Sequence, residues 1–304
     1  VIIGNPPYQM NDGGGGGGSA KPIYNKFIEV AKKLSPKYLS MIIPSRWYSG
    51  GKGLDKFRDD MLNDDRISKI VDFPDASDCF PGVGIKGGVC YFLWEKDYSG
   101  DCEIVNMEKN KKNVLKRPLL EKDLNFFIRY NQSISIIRKV LKLEEKKFSD
   151  LVSPRKPFGI SEFKKKNIKT KKIKIYHLKG CDFINEKEIL NGKEFIQKHK
   201  IFISKAYGAG EGFPHQIINK PFHGEINSIC TETFLHIGPF SSKKESENVI
   251  SYMKTKFFRF LVLMIKNTQN TTRSVYRLVP LQNFQKDWND VELFKKYNLD
   301  KIEI

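Results

Sequence analysis

Two periods of apolar residues run through the first third of the chain. Val1–Gly4 is a short apolar run, read as the start of a buried strand, and Asn5-Pro6-Pro7-Tyr8 leaves it as a turn. Between Pro22 and Leu34, apolar Ile23, Phe27, Ile28, Val30, Ala31 and Leu34 recur at near-helical spacing, with Pro22 suited to a first turn. Tyr38–Ile43 reads as a buried strand that stops at Pro44. Leu54, Phe57, Met61 and Leu62 share one side of a helix over Leu54–Leu62, and Ile67–Phe73, Gly88–Trp94 and Cys102–Met107 are further strands. Strand alternating with helix predicts an α/β fold with a parallel or mixed sheet.

The pattern changes at Lys109–Pro118, a basic polar stretch that predicts a boundary between residues 1–110 and 111–304. Behind it, Asn125–Leu143 reads as helix. Strands are expected at Ile173–His177, Ile201–Ser204, Ile226–Thr231 and Phe234–Ile237, then a helix over Glu245–Leu263 and a short tail element at Asp290–Tyr297. The back is therefore expected to be α+β. Residues 12–20 form a glycine tract with the composition of a linker.

Charge separates the same two parts. The chain of 304 residues carries 53 Lys+Arg against 35 Asp+Glu, a net charge of +18. Residues 1–110 hold 14 against 15, leaving 39 against 20 for the rest. A neutral front and a basic back point to a polyanionic partner, nucleic acid before an anionic membrane. The longest apolar run, Phe257–Ile265, is short of a membrane span and is interrupted by Arg259. The five cysteines are scattered with no Cys-x-x-Cys pair, as for buried thiols in a reducing compartment, and no histidine is spaced for a zinc site. No metal is expected, and a cytoplasmic location is. The opening Val-Ile-Ile-Gly has no leader character, so the chain reads as a piece of a longer protein.

Asn5-Pro6-Pro7-Tyr8 is the sharpest chemical signal. Neither proline donates a hydrogen bond, so the strand cannot extend its ladder, and the carbonyls turn toward whatever lies beyond its carboxyl end. In an open α/β sheet that is where ligands bind. Asn5 adds a side-chain acceptor and Tyr8 a flat apolar face. Two acceptors and an aromatic plane suit a planar exocyclic amine on a nucleobase. A proline-rich turn that merely ends a strand is the plainer alternative.

These segments resemble the DNA adenine methyltransferases of the gamma motif order, the TaqI-type enzymes and bifunctional restriction-modification methylases. The resemblance covers residues 1–96 well and rests on four segments in order: Asn5–Tyr8; Pro22-Ile23-Tyr24-Asn25-Lys26-Phe27; Leu39–Pro44 with Ser45-Arg46-Trp47; and Phe80-Pro81 followed by Gly88–Trp94. It implies a partial Rossmann-like methyltransferase sheet followed by an α+β target-recognition domain. It also implies S-adenosylmethionine as methyl donor, with Phe27 bordering the pocket for the donor's adenine. A flipped adenine would lie between Tyr8 and Phe80. The Asn5 side chain and the Pro6 carbonyl would accept its amino protons, with Pro7 completing the tetrapeptide. The family's main cofactor loop, a glycine-rich turn, is expected upstream of Asn5, so the segment alone is expected to be inactive. The candidate downstream, Gly208-Ala209-Gly210-Glu211-Gly212, is followed by Phe213-Pro214-His215 and reads as a hairpin or loop instead.

Double-stranded DNA is the expected partner of the basic back. Lys164, Lys165 and Lys166 open a lysine-rich stretch that could track phosphates. Lys205 and Tyr207 stand beside the glycines. Asn267–Arg277 mixes amides, hydroxyls, Arg273, Tyr276 and Arg277, the types that read base edges and phosphates. Its alternative is a structural loop. Asp72 and Asp75 read as turn acids, the five histidines as isolated and structural, and Phe257, Phe258 and Phe260 as core. The chain is read as part of an adenine-specific DNA methyltransferase from a restriction-modification system, more readily a monomer than an oligomer. Fusion to or partnership with a nuclease stays open. The competing readings are a DNA-binding specificity module without catalysis, and a methyltransferase acting on RNA or a protein glutamine.

Overall fold

The computed structural model describes residues 1–10, 21–51, 53–109, 111–163, 172–208, 216–266 and 269–304. Two compact units divide between Ser135 and Ile136. The expected division at 110/111 falls within a strand hairpin, because Lys111–Arg117 pairs in register with Cys102–Glu108.

In the first unit, β1 (Ile2–Gly4) leads into a small hairpin, β2 (Gln9–Met10) with β3 (Lys21–Pro22), and then α1 (Tyr24–Lys33). β4 (Tyr38–Pro44), α2 (Asp55–Leu62), β5 (Ile67–Phe73), β6 (Val89–Glu95), β7 (Cys102–Glu108) and β8 (Lys111–Arg117) follow. The sheet order is β1-β4-β6-β5-β7-β8. β1 runs parallel to β4, and β5 to β7, while β6 is antiparallel to both β4 and β5. β1, β4 and β5 therefore end at one edge, where β6 begins. The α/β reading is borne out as a mixed parallel and antiparallel sheet. β1 departs from expectation. It is the sheet's last strand, and Ile3 is 78% exposed while Ile2 packs on the core. A three-residue strand with one neighbour covers only one of its faces.

The core of this unit joins α1 (Tyr24, Ile28, Ala31), α2 (Phe57, Met61, Leu62) and the apolar faces of β4 to β7. Asp64 is buried at the amino end of β5, where Lys32 Nζ (2.8 Å), Arg66 Nε (2.7 Å) and Trp94 Nε1 (2.9 Å) all donate to its carboxylate. Burial alone would raise its pKa. The bonds from Arg66, Lys32 and Trp94 outweigh burial and bring it down to about 2. A carboxyl lowered on folding stabilises the fold above its unfolded pKa, and that stability is lost as pH falls through about 2. Asp64→Asn is expected to cost about 1–2 kcal/mol at neutral pH. It should also flatten the stability curve between about pH 4 and pH 2, read by urea unfolding at each pH.

The second unit holds two three-stranded sheets. One is β10 (Gly180–Asn185), β9 (Lys172–His177) and β13 (Ser228–Cys230); the other is β12 (Phe222–Gly224), β11 (His199–Ser204) and β14 (Phe234–Phe240). Ile173, Ile175, Ile184, Phe202, Ile229 and Cys230 form their shared core. α3 (Ile134–Leu141) crosses the division between the units. α4 (Lys243–Lys254) packs against β11, β12 and β14, and α5 (Lys256–Leu263) and α6 (Asp290–Lys296) complete the unit. The expected helix over Glu245–Leu263 is two helices. Thr255 takes extended backbone angles between them and caps α5, its hydroxyl accepting from the Phe258 N–H. Of Asn125–Leu143, only α3 and a short turn at Asn131–Ser133 are helical. Phe257 and Phe258 are core, as read.

Candidate active site at the strand exits

Three chain reversals share the edge where β1, β4 and β5 end: Asn5–Tyr8, Ser45–Tyr48, and the loop from Pro74 to Gly88. The tetrapeptide's main chain is pinned where Ile23 N donates to Tyr8 O (3.2 Å), so the small hairpin folds Tyr8 back onto the start of α1. Asn5 is exposed, Pro6 buried, Pro7 exposed and Tyr8 half-buried. The Asn5 amide is therefore not packed into the interior. The Tyr8 hydroxyl is buried without a hydrogen-bond partner. Burial raises its pKa, and the neighbouring thiols of Cys79 and Cys90 raise it further. Cys79 directly precedes Phe80 in the loop from Pro74 to Gly88.

That loop is fixed partly by its own residues and partly from outside, where Lys109 N donates to Asp78 Oδ2 (2.8 Å). Asp75 accepts from Ser77 N (2.9 Å) and Ser77 Oγ (2.7 Å), and Phe80 N closes the turn on Ala76 O (2.8 Å). Phe80 is half-buried at its end. Asp75 is thus the turn acid expected. Asp72 is not: it lies within β5, fully buried, in an ion pair with Arg129. Its neighbours in sequence suggested a turn, and its partner is 57 residues away.

The exit of β4 is equally fixed. Arg58 donates to Trp47 O (2.7 Å) and Gly50 O (2.6 Å), clamping the turn from α2. Edge-on ring contacts run from Tyr24 to Phe57 (5.8 Å), to Trp47 (5.8 Å) and on to Tyr48 (4.9 Å). Cys90 sits fully buried beside Ser45, Trp47 and Tyr48. Burial and then the Asp72 carboxylate push its thiol up to about 11, so it is inert at neutral pH.

For a methyl donor, Phe27 is the residue to test. It lies on α1 at 45% exposure, at the border of the buried face formed by Tyr24, Ile28 and Ala31. Next to it, Tyr24 Oη and Asn25 Oδ1 are buried polar atoms without partners. An exposed aromatic ring and unpartnered polar atoms within one turn of helix are the residue types that one end of a nucleoside ligand would use. An open groove of about 680 Å³ between α1 and α2, lined by Lys32, Lys56, Asp60, Asp64 and Arg66, lies at the opposite end of the sheet. It is not part of this site. Among the described residues no group of His, Cys, Asp and Glu is arranged to hold a metal ion. No helix there is long and apolar enough to cross a membrane.

In the second unit the structure brings two of the three basic segments together. Ala206 bridges Asn270 in an antiparallel pair. Tyr207 N donates to Gln269 O (2.8 Å) and Thr271 N to Lys205 O (2.8 Å). Lys266 Nζ lies 5.6 Å from the centre of the Tyr207 ring. Lys205 pairs with Glu232 (3.0 Å), so part of its charge is already neutralised. Arg273 donates to Ser149 O (2.9 Å) and lies near Asp150, and Arg277 donates to Ser274 O (2.9 Å). Tyr276 requires a correction. It is completely buried among Phe148 and Phe258, so it supports the loop from beneath and cannot meet DNA. Its flanking Val275, Leu278 and Val279 are buried too, and an apolar spacing of this kind was the available signal. Lys164, Lys165, Lys166 and the stretch from Ala209 to His215 lie outside the described residues.

Comparison with known proteins agrees with the motif reading. Residues 1–80 match the protein family described as Eco57I restriction-modification methylase. A protein of Mycoplasma pneumoniae named as an uncharacterized adenine-specific methylase is 44% identical over 114 residues, 37% of this chain and 27% of that protein. Among solved structures, the type IIG restriction endonuclease BpuSI aligns over 94% of this chain and 45% of its own, at 13% identity and a TM-score of 0.35. The DrdV–DNA complex aligns over 93% and 43%, at 10% identity and a TM-score of 0.44. The type I methyltransferase subunit from Streptococcus thermophilus aligns over 48% and 32%, at 15% identity and a TM-score of 0.27. The resemblance to restriction-modification methylases thus lies in the front of the chain, which includes the tetrapeptide, and the matched relative is one named as adenine-specific. The match spans about a quarter of the curated relative's length.

Proposed function

We propose that this chain forms the methyl-accepting side and the DNA-recognition part of an adenine-specific DNA methyltransferase in a restriction-modification system. The observation that carries the proposal is the placement of an exposed Asn5 at the carboxyl end of β1, on the sheet edge that also holds the fixed exits of β4 and β5. A target adenine turned out of the duplex enters between Tyr8 and Phe80. Its amino group donates one hydrogen to Asn5 Oδ1 and one to the Pro6 carbonyl. Holding both protons draws the nitrogen toward tetrahedral geometry and frees a lone pair that the ring otherwise withdraws. When bound, S-adenosylmethionine would supply the methyl group: the N–CH3 bond would form as the S–CH3 bond breaks, and S-adenosylhomocysteine would leave as the thioether. The methylated amine would release one proton to solvent, and Phe27 would stack on the donor's adenine. Rate enhancement comes from orientation and from acceptors fixed before reaction, with no covalent intermediate on the protein. The convergence of Lys205, Tyr207, Lys266 and Gln269–Thr271 supports a duplex-facing surface on the second unit.

The test is transfer of a labelled methyl group from S-adenosylmethionine to DNA by the complete enzyme, with nucleoside analysis of the product. N6-methyladenine is expected, and duplex DNA should compete while RNA and protein do not. Label in cytosine, in RNA or in a protein glutamine would reject the proposal. DNA binding with no label in any substrate would favour a specificity module without catalysis.

A further inference from the structure

The Asp72–Arg129 pair is unused by the chemistry above, yet it joins two of the three chain reversals that frame the site, the exit of β4 and the loop from Pro74 to Gly88. Arg129 Nε donates to Asp72 Oδ2 (2.6 Å) and Nη2 to Asp72 Oδ1 (2.9 Å), a bidentate pair. Its third nitrogen, Nη1, donates to Gly87 O (2.9 Å), at the far end of the loop that carries Phe80. Ser45 Oγ donates to the same carboxylate (2.9 Å), and Ser45 N donates to Gly88 O (3.0 Å). One guanidinium thus ties the end of β5, the end of β4 and the start of β6. The arm itself is anchored. Asn106 Nδ2 donates to Arg129 O (3.0 Å), Asn131 N to Asn106 Oδ1 (2.8 Å), and Asn131 Nδ2 to Ile104 O (2.8 Å). The Arg129 guanidinium also lies 5.7 Å from the centre of the Tyr48 ring.

A buried ion pair is a poor way to gain stability, since well-packed apolar residues of similar volume commonly do as well. What it provides is a fixed geometry between a strand end and the loop that follows it. The loop from Pro74 to Gly88 has no helix of its own longer than one turn and no strand. Its carboxyl end is held through Gly87 and Gly88.

We infer that Arg129 is a positioning residue that holds the Phe80 loop against the strand exits and so sets the spacing between Phe80 and Tyr8. The loop-holding role stands on the contacts alone; its consequence for base binding rests on the proposed function.

Two variants separate the possibilities. Arg129→Lys keeps a buried positive charge but reaches one acceptor at a time. The double variant Asp72→Asn with Arg129→Met removes both charges together, so it leaves no unpaired buried ion. Hydrogen exchange by mass spectrometry on the free protein is expected to show residues 74–88 losing at least tenfold protection in both variants, with the middle of β5 and β6 unchanged. Unchanged protection of 74–88 in both folded variants overturns the inference. The second measurement uses a duplex with 2-aminopurine at the target adenine. Wild type is expected to bind it with a fluorescence rise, and Arg129→Lys to bind within twofold of wild-type affinity with less than a third of that rise. In turnover, kcat should fall while KM for DNA holds. A full rise and full kcat despite a deprotected loop also overturn the inference. Absence of any rise with wild type counts against the proposed function instead, and hydrogen exchange then decides the role of Arg129 without it.

Discussion

Asn5→Ala is expected to reduce methyl transfer to duplex DNA by at least about 10²-fold, the scale of losing one preorganised polar contact to the reacting group. DNA affinity should stay within about twofold, because base-edge and phosphate contacts lie elsewhere. Folding should be unaffected, since Asn5 is exposed and supports no neighbour; exposed substitutions of this kind fall within about ±0.5 kcal/mol. Asn5→Asp retains acceptor oxygens at the same place and is expected to keep more activity than Asn5→Ala. The readout is single-turnover methylation beside a binding isotherm for each variant. Methylation by Asn5→Ala at the wild-type rate would falsify the role given to this side chain. A parallel loss of binding and methylation would show that Asn5 acts on DNA capture instead.

Gly88→Ala is expected to be the most destabilising single methyl addition in the first unit. Gly88 sits at φ +75°, and a Cβ there would lie 2.1 Å from Phe73 O, 2.6 Å from Pro74 O and 2.7 Å from Arg129 Nη2. Two of these are backbone carbonyls at a strand end, which cannot move without breaking the β5–β6 register. The cost should exceed about 3 kcal/mol, combining left-handed strain with a displaced backbone. Gly53→Ala is the control. It has φ +76° and nothing within 4 Å of its Cβ position. It should cost only the conformational strain, about 1–2 kcal/mol. Urea unfolding of the two variants side by side separates backbone strain from crowding, and equal losses would show that the surroundings of Gly88 are yielding.

The glycine pair shows where reading along the chain succeeds and where it stops. Gly51-Lys52-Gly53 and Gly87-Gly88 look alike as turn signals. Only the folded surroundings distinguish an open turn from a junction of two strands and a guanidinium. Asp72 makes the same point. A carboxylate in Val-Asp-Phe-Pro-Asp reads as the end of a strand entering a turn, and that is true of Asp75, whose partner is two residues away. The partner of Asp72 is 57 residues away, beyond three further strands, so no local pattern reveals it. Tyr276 failed for the opposite reason. Its segment has the polar and aromatic composition of a nucleic-acid contact, but Val275, Leu278 and Val279 beside it are buried and carry it into the core.

Local chemistry was legible. Two consecutive prolines must end a ladder whatever surrounds them, and apolar periodicity places strands and helices because burial follows spacing along the backbone. From these came the mixed sheet, the exit carrying Asn5–Tyr8 and the sharp rise in basic charge behind it. Strand order and side-chain partners over long separations were settled by packing in three dimensions. The split of the long helix at Thr255, the pairing of Ala206 with Asn270 and the Arg129 clamp all depend on groups that meet only after the chain has closed on itself.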